Sequence, residues 1–434
     1  MTVHLPFYRR LVEICLLVRL PIRITTTGDI QMRLFYILIP LFYSLSGIAQ
    51  IWKVLPKGVR AVGYRNVTTS KITQNFNQYG QGSPIGSSFK VDASTLNELT
   101  GNVVVPGVHL DREAYNNLIV GEYAVDAQAQ MNVHGTGFGY GITNKLMFFA
   151  SVAYYQASVK SKIVRTAGNS YEKTSEILEQ NGTLQGQIYA DNLRKMIDAN
   201  ENTIQSVITN YYGYKPIGDW HGQGYGDMET GMMANLIDKG VWGLTIYPGV
   251  VLPTGYVDDP DTLQDVGFGD GQFDFFGEMA TGYIVNDHLS FGGLFRYTYQ
   301  APTTKKLRVP AERDFTLSDK KGDFSVKYGD KFNIALNTTV ALNDWISFTP
   351  AYSFMYQLPS TYQSSLKEAN GFLEYNTEKK EHQVQLTTSL SSVTPFLKKK
   401  FVLPAQININ LVKTVASKNV PAASRFEVEF RMIF

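Results

Sequence analysis

The chain has 434 residues, of which 13% are aromatic and 18% charged, and its formal net charge is +2. Such a composition is typical of a folded, β-rich protein and excludes a disordered chain, a collagen and a helical membrane bundle. The charge is nearly balanced and no basic stripe is present, so we expect no nucleic-acid partner.

The N-terminal region has the organisation of an export signal. Arg33 precedes an apolar run over 34–48, and small residues stand at the −3 and −1 positions of a cleavage site after Ala49. This pattern predicts a secretory signal peptide. A transmembrane helix is the alternative, but the run is shorter than the ~20 residues that spanning requires, and Pro40 interrupts it.

The signal also sets the domain boundaries that we expect. Residues 1–31 would be a non-native extension ahead of a translation start at Met32, 32–49 the signal peptide, and 50–434 the mature domain. The only cysteine, Cys15, lies in the extension. Disulfides and thiol chemistry are therefore excluded for the mature chain.

Apolar and polar residues alternate with a period of two in many segments after residue 50. In one of them, Phe332, Ile334 and Leu336 alternate with Asn333 and Asn337. Such alternation predicts strands with one apolar and one polar face, as in a barrel with its apolar row in lipid. We expect about twelve strands, near 58–69, 121–142, 145–163, 224–238, 240–254, 271–285, 288–302, 328–343, 345–359, 377–393, 398–413 and 423–434.

The connections between these strands alternate in length. Tight turns are predicted at 143–144, 238–239, 286–287, 343–344 and 394–397, and long or looser loops at about 70–120, 164–223, 255–270, 303–327, 360–376 and 414–422. A soluble β-sandwich, the alternative fold, has no reason to segregate its loops in this way. The pattern predicts an all-β membrane protein, a single antiparallel transmembrane barrel in the outer membrane of a Gram-negative bacterium, with both termini in the periplasm.

The last predicted strand ends on an aromatic residue. Its apolar row is expected to face lipid and its polar row the lumen, and the strand is expected to close against the one near 58–69. The pattern resembles the C-terminal signal strand of bacterial outer-membrane barrels, which implies the barrel-insertion machinery as a partner. The lipid-facing row is Phe426, Val428, Phe430, Met432 and Phe434, and the lumen-facing row is Glu427, Glu429 and Arg431.

The loop over 164–223 differs from the rest of the chain. Apolar residues recur at helical spacing between Ser175 and Asn210, which predicts a helical insertion at about 170–210. Such an insertion could cap the barrel, constrict its lumen or support oligomer contacts. We favour a cap or a constriction over an independent adhesive element.

Four short motifs follow one another between residues 140 and 275, about a third of the chain. In this order they resemble the outer-membrane family named after the meta-pathway phenol degradation protein. The resemblance implies a barrel that passes small molecules, hydrophobic or aromatic compounds among them; the loops at 70–120 and 164–223 are not part of the pattern. The motifs are Tyr140-Gly141-Ile142-Thr143-Asn144-Lys145-Leu146, Gly224-Tyr225-Gly226-Asp227 with Gly231, Leu252-Pro253-Thr254-Gly255, and Gly267-Phe268-Gly269-Asp270-Gly271 with Asp274.

Charged residues on the predicted inward rows are candidates for the pore lining. Charges inside a barrel require water or partners, so they could hydrate or filter a permeant. A salt-bridge network that fills a small lumen is the alternative. The lining candidates are Asp126, Gln128, Asn132, Asp227, Glu229, Asp274, Glu278, Arg296, Asn333, Gln385, Asn408, Glu427 and Arg431.

These features predict a passive channel or transporter for small molecules, with outer-membrane lipid as its surroundings. A non-conducting barrel whose long loops bind partners is the first alternative. A barrel hydrolase is the second, because His134 and His221 could meet a serine in space. The sequence contains no Gly-x-Ser-x-Gly elbow, P-loop or dinucleotide fingerprint, and we expect no catalytic residue, cofactor or metal.

Overall fold

The computed structural model describes residues 52–93, 110–196, 199–310 and 317–434, together with Thr25–Thr26. The predicted signal peptide, Cys15 and all but that pair of the predicted extension lie outside the described residues. Within them, no helix combines the length and the apolar character needed to cross a membrane.

Twelve antiparallel strands in the described part of the chain close into a barrel. Each strand pairs with its chain neighbours, and β1 pairs with β12 to complete the ring. The predicted number and order of strands are confirmed. They are β1 (Arg60–Thr69), β2 (Ile119–Gly141), β3 (Leu146–Ala167), β4 (Trp220–Tyr225 and Met228–Asp238), β5 (Trp242–Leu252), β6 (Asp274–Asn286), β7 (Leu289–Gln300), β8 (Lys331–Ala341), β9 (Ile346–Gln357), β10 (Lys379–Ser391), β11 (Ala405–Lys418) and β12 (Ser424–Ile433).

Helices lie only in the connections among the described residues. They are α1 (Arg112–Asn117), α2 (Tyr171–Gln180), α3 (Leu184–Arg194), α4 (Glu201–Ser206), which continues into a π-helical turn (Val207–Tyr211), α5 (Lys367–Glu374) and α6 (Val393–Leu397). The predicted helical insertion is thus α2 to α4. Asn200 caps α4, since its side-chain oxygen accepts a hydrogen bond from the Thr203 N–H at 3.0 Å.

The two ends of the barrel differ in their connections. Short turns over 142–145, 239–241, 287–288 and 342–345, and the α6 connection over 392–404, define what we term the short-turn end. The other end, the long-loop end, carries small additional strands at Gln74–Phe76, Gly82–Pro84, Ser88–Asp92, Thr303–Arg308, Lys321–Lys327, Thr361–Gln363 and Val420–Pro421. This segregation confirms the predicted loop pattern.

An apolar band covers the outer face of the barrel, where side chains that a soluble protein would bury are exposed. A barrel in lipid requires such a band, because the hydrocarbon cannot solvate polar groups. Trp345 lies at the short-turn rim, with its ring edge-on to Phe401 at 5.1 Å between centroids. The band includes Phe291, Phe295, Leu336, Leu386, Leu411, Phe426 and Phe430.

The β2–β3 hairpin is much longer than the rest of the wall. Its strands hold 23 and 22 residues, whereas the other continuous strands hold 10 to 14. Each residue advances a strand by about 3.3 Å, so the hairpin projects far beyond the long-loop end. The insertion packs on its inner face, where Leu178 of α2, Leu193 of α3 and Ile204 of α4 share one core with Val125 and Val159.

Candidate functional site

The strand register identifies which side chains face the lumen. Glu278 of β6 lies opposite Arg296 of β7, which in turn lies opposite Asn333 of β8, so the three share one inward row. The same counting around the ring places most of the predicted lining residues inside. These are Asp227, Glu229, Asp274, Glu278, Arg296, Asn333, Gln385, Asn408, Glu427 and Arg431.

The predicted inward placement of Asp126, Gln128 and Asn132 is wrong. Val67 of β1, 1% exposed, lies opposite Val133 of β2, which makes the odd-numbered row of β2 the inward one. The three predicted residues therefore point outward. The cause is that the long hairpin leaves the apolar band, so its polar row meets water while its apolar row covers a buried core.

A cavity of about 280 Å³ occupies part of the lumen. Of the predicted lining residues, Glu229, Asp274, Arg296, Asn333 and Gln385 border it. Apolar side chains contribute much of the remaining wall, so that the cavity presents both charged and apolar surface. Those apolar residues include Val251, Leu294, Ala335, Ala351 and Met355.

Arg296 forms ion pairs and a cation–π contact on one wall of this cavity. Its guanidinium donates to Glu229 at 2.9 and 3.3 Å, and its Nη1 lies 3.8 Å from Glu278 Oε2. The guanidinium also stacks on Phe276, 3.7 Å from the ring centroid. Arg296 is only 5% exposed, so its charge is stabilised by these partners rather than by bulk water.

The opposite wall, where the barrel closes, carries a second ion-pair cluster. Glu427 of β12 is fully buried and pairs with Arg65 of β1, while Arg425 Nε lies 3.3 Å from its Oε1. Glu429, two residues on, pairs with Arg431. The Arg65–Glu427 pair joins the first and last strands and so stabilises the closed ring, whereas the pairs of Arg425 and Arg431 lie within β12.

Hydroxyl and carboxamide groups fill the lumen beside that cluster. Thr387 donates to Asn410 Oδ1 at 2.7 Å, and Ser389 donates to Asn408 Oδ1, also at 2.7 Å. Asn408 in turn donates to Glu429 at 3.2 Å. Asn408 and Asn410 are fully buried, which places this part of the lumen in a packed polar network instead of an open passage.

Trp52 is buried inside the lumen near the short-turn end. Its carbonyl accepts hydrogen bonds from the Asn235 Nδ2 at 2.8 Å and from the Thr245 hydroxyl. The indole lies against Gly243 and Gly282, which face inward and pair across β5 and β6. A Cβ at Gly243 would overlap the indole, and one at Gly282 would lie 2.7 Å from it, so glycine is required at both positions. We term residues 52–56 the plug.

The sequence alone did not reveal the plug. Trp52 follows a predicted cleavage site, and nothing in a strand pattern pairs it with glycines 191 and 230 residues away. The signal available was glycine on the inward rows of two neighbouring strands, where a wall residue normally carries a side chain. Val54 and Leu55 extend the contact, because they pack on the buried cluster of Met147, Phe149, Met233, Val251 and Phe276.

The glycine-rich motifs meet at the long-loop end of the lumen. Asp227, at the break in β4, accepts hydrogen bonds from the Gly255 N–H at 2.8 Å and the Asp270 N–H at 3.2 Å. A Cβ at Gly269 would lie 2.7 Å from Gly255 Cα, so the two backbones approach as only glycine allows. Burial raises the pKa of the Asp270 carboxyl. Three of the four motifs, at 224–231, 252–255 and 267–274, thus form one structural junction, whereas the motif at 140–146 lies at the short-turn end.

His134 and His221 do not form a common site. His134 lies on the outer face, where its Nδ1 is 2.7 Å from the Tyr64 hydroxyl. His221 is exposed, opposite Ser158, four rows further along the neighbouring strand pair, which corresponds to about 13 Å. This separation gives no support to a shared catalytic centre at these two histidines.

No protein-family model and no curated protein matches this chain. Among solved structures, an outer-membrane channel from Pseudomonas putida F1 is 10% identical with a TM-score of 0.50, over 88% of this chain and 98% of that one. The Pseudomonas putida toluene transporter TodX is 11% identical with a TM-score of 0.32, over 89% and 91%. The Ralstonia pickettii toluene transporter TbuX is 10% identical with a TM-score of 0.31, over 88% and 90%.

The first of these structures shares the barrel architecture described above over nearly its whole length. The closed ring of twelve strands, the apolar outer band and the separation of short turns from long loops are together the features of an outer-membrane barrel. The chain has the fold of a Gram-negative outer-membrane β-barrel.

Proposed function

We propose that the protein is an outer-membrane channel for passive uptake of small molecules, hydrophobic or aromatic ones among them. The observation that carries the proposal is the lumen cavity of about 280 Å³, with its mixture of apolar and charged wall. An apolar cavity of about 150 Å³ is enough to hold benzene. The cavity here therefore has room for an aromatic ring with polar substituents.

The chemistry of the wall favours permeants of this kind. Leu294 and Val251 offer apolar surface to a ring, while Arg296, Asn333 and Gln385 offer donors to a hydroxyl or carbonyl group. No bond to the permeant is made or broken in this proposal. The resemblance stated above implies small molecules, hydrophobic or aromatic compounds among them, and such a wall would accommodate these.

A second candidate is a non-conducting barrel whose long loops bind a partner. It is favoured by the buried polar network around Asn408 and Asn410 and by the buried position of Trp52, because these side chains fill two parts of the lumen. The two candidates differ in whether the plug can leave the lumen. A variant that lacks the plug side chain therefore distinguishes the channel from the non-conducting barrel.

The test is to reconstitute the mature protein and its Trp52→Ala variant in planar bilayers and in liposomes. The channel proposal expects ion steps and swelling with phenol-sized solutes, larger for the variant than for the wild type. Absence of both signals from both proteins would contradict it and leave the non-conducting barrel. A variant at an exposed helical site, Gln187→Ala, serves as the control for handling and insertion.

A further inference from the structure

A polar depression lies on the outside of the projecting hairpin, away from the lumen. Its floor is the backbone of β2, β3 and the first part of β4 at Met131, Ala157 and Gly222, and its volume is about 530 Å³. The register aligns two rows of outward side chains across these strands. We term these six residues the outer grid: Asn132, Gln156 and Gln223 in one row, and Gln130, Ser158 and His221 in the other.

The outer grid begins where the apolar band ends. Below it on the same face lie Tyr154 and Tyr225, whose rings are edge-to-face at 5.2 Å, and the Tyr64–His134 pair. Tyr225 is 61% exposed although it is aromatic. Exposed tyrosines at this height mark the edge of a bilayer, where an aromatic ring meets the headgroup layer. The grid is therefore at headgroup level.

The chemistry of the grid is specific. Carboxamides, a hydroxyl and an imidazole present both hydrogen-bond donors and acceptors, which match the hydroxyl groups of a sugar. The carboxamide of Asn132 is held by its neighbours: Asn66 donates to Asn132 Oδ1 at 2.8 Å, and Asn132 Nδ2 lies 3.1 Å from His134 Nε2. Beyond the grid, exposed Lys160 continues the outward row of β3 and adds positive charge.

We propose that the outer grid binds the sugar-phosphate headgroup of a glycolipid in the outer leaflet of the surrounding membrane. The acyl chains would lie against the apolar band, the sugars on the carboxamide rows above the tyrosines, and the phosphates toward Lys160. The position on the outer face separates this site from the lumen. The glycolipid proposal therefore depends on the barrel fold and not on what the lumen conducts.

The experiment titrates the mature protein in detergent with lipid A that carries two inner-core sugars, and measures binding by native mass spectrometry. The variant Gln130→Ala/Gln156→Ala removes two exposed carboxamides of the grid. We expect it to weaken binding of this glycolipid about tenfold, since each lost hydrogen bond to a sugar contributes modestly. The matched control, Gln185→Ala/Gln187→Ala, removes two exposed carboxamides of α3 and should leave binding unchanged.

Phosphatidylglycerol, which has acyl chains and a phosphate but no sugar, is the second probe. Its binding should be the same for the grid variant and the wild type. Unchanged binding of the sugar-bearing lipid would overturn the proposal, and so would an equal loss for both lipids. Gln130→Glu/Gln156→Glu keeps the side-chain shape, so its loss of glycolipid binding with normal heat-modifiable migration on a gel would show that folding is not the cause.

Discussion

Single buried charges in this barrel depend on few partners. Arg296 is the cation between Glu229 and Glu278 on its wall of the lumen, and it is nearly inaccessible to solvent. Removing one partner of a buried pair costs more than the pair itself contributes, because the remaining charge stays buried without compensation. The position is therefore more sensitive than an exposed ion pair would be.

We expect Arg296→Met to lower the free energy of unfolding by about 3 to 5 kcal/mol. Two carboxylates would then share a buried space without the guanidinium. Urea unfolding of the reconstituted barrel, followed by tryptophan fluorescence, measures the change. Lys398→Met, which removes an exposed partner of Asp344, is the matched control and should change the value by less than about 1 kcal/mol. An equal effect of the two substitutions would refute the reasoning.

The carboxyl of Asp265 should make the stability of the loop over 253–273 depend on pH. It accepts hydrogen bonds from the Tyr256 hydroxyl at 2.8 Å and from the Asp259 N–H at 2.7 Å, and burial raises the pKa of its carboxyl. A folded pKa above the unfolded one means that folding favours the protonated acid. The loop should therefore be most stable below the ordinary aspartate pKa and lose stability as the pH rises through it to the folded value.

Hydrogen exchange of this loop, corrected for the intrinsic rate at each pH, tests the expectation. Protection of the loop amides should fall in the wild type as the pH rises above the ordinary pKa of aspartate, about 4. In Asp265→Asn the same amides should depend less on pH, and the dependence that remains is expected from Asp270, whose pKa is also raised by burial. A wild-type loop whose protection rises over this range would show that the sign is wrong.

At the scale of elements, the β2–β3 hairpin shows what a strand pattern leaves open. Its alternation of apolar and polar residues was predicted correctly, and so were its ends to within a few residues. The row that faces inward was predicted wrongly, because alternation alone does not say whether lipid or water lies outside the strand. The even-numbered row of β2 faces outward from Asp126 to Tyr140; it is apolar near the short-turn end, at Phe138 and Tyr140, and polar in the projecting part, at Asp126, Gln128 and Asn132.

Opposite outcomes are expected for two substitutions on that hairpin. Ala129→Asp would place a charge in the core that the hairpin forms with the loops, since Ala129 is 1% exposed. Gln128→Asp would place it on the outward row. We expect loss of the folded extracellular region for the first and little change for the second, measured as protease sensitivity on intact cells. Equal sensitivity of the two would place both rows in water.

At the scale of the whole molecule, the sequence was sufficient to predict the barrel but not to predict which residues fill its lumen. Strand number and loop segregation follow from local periodicity, which each segment carries by itself. The plug, the filled polar network and the junction of the glycine motifs join residues that are far apart in the chain. Gly243 and Gly282 pack against the Trp52 indole, and we term this pair the glycine cradle. It could be recognised only in the structure, where Trp52 lies against both residues.

The conductance of the molecule should depend on this cradle. Trp52→Ala would leave the lumen wider at the short-turn end, so we expect a larger single-channel current than in the wild type. Phe401→Ala, at an exposed aromatic of the same rim, is the control and should not change the current. If the two variants conduct alike, the passage does not run past the indole.

The plug is attached to β1 by a short stretch of chain. Only residues 53–59 separate Trp52 from Arg60, the first residue of that strand. Fully extended, seven residues span at most about 25 Å. A Trp52 that left its glycine cradle would therefore remain tethered beside the opening, at the high effective concentration that a short linker imposes. The plug would then reclose the lumen in an intramolecular step. Each opening would therefore be brief, and its duration would not depend on protein concentration.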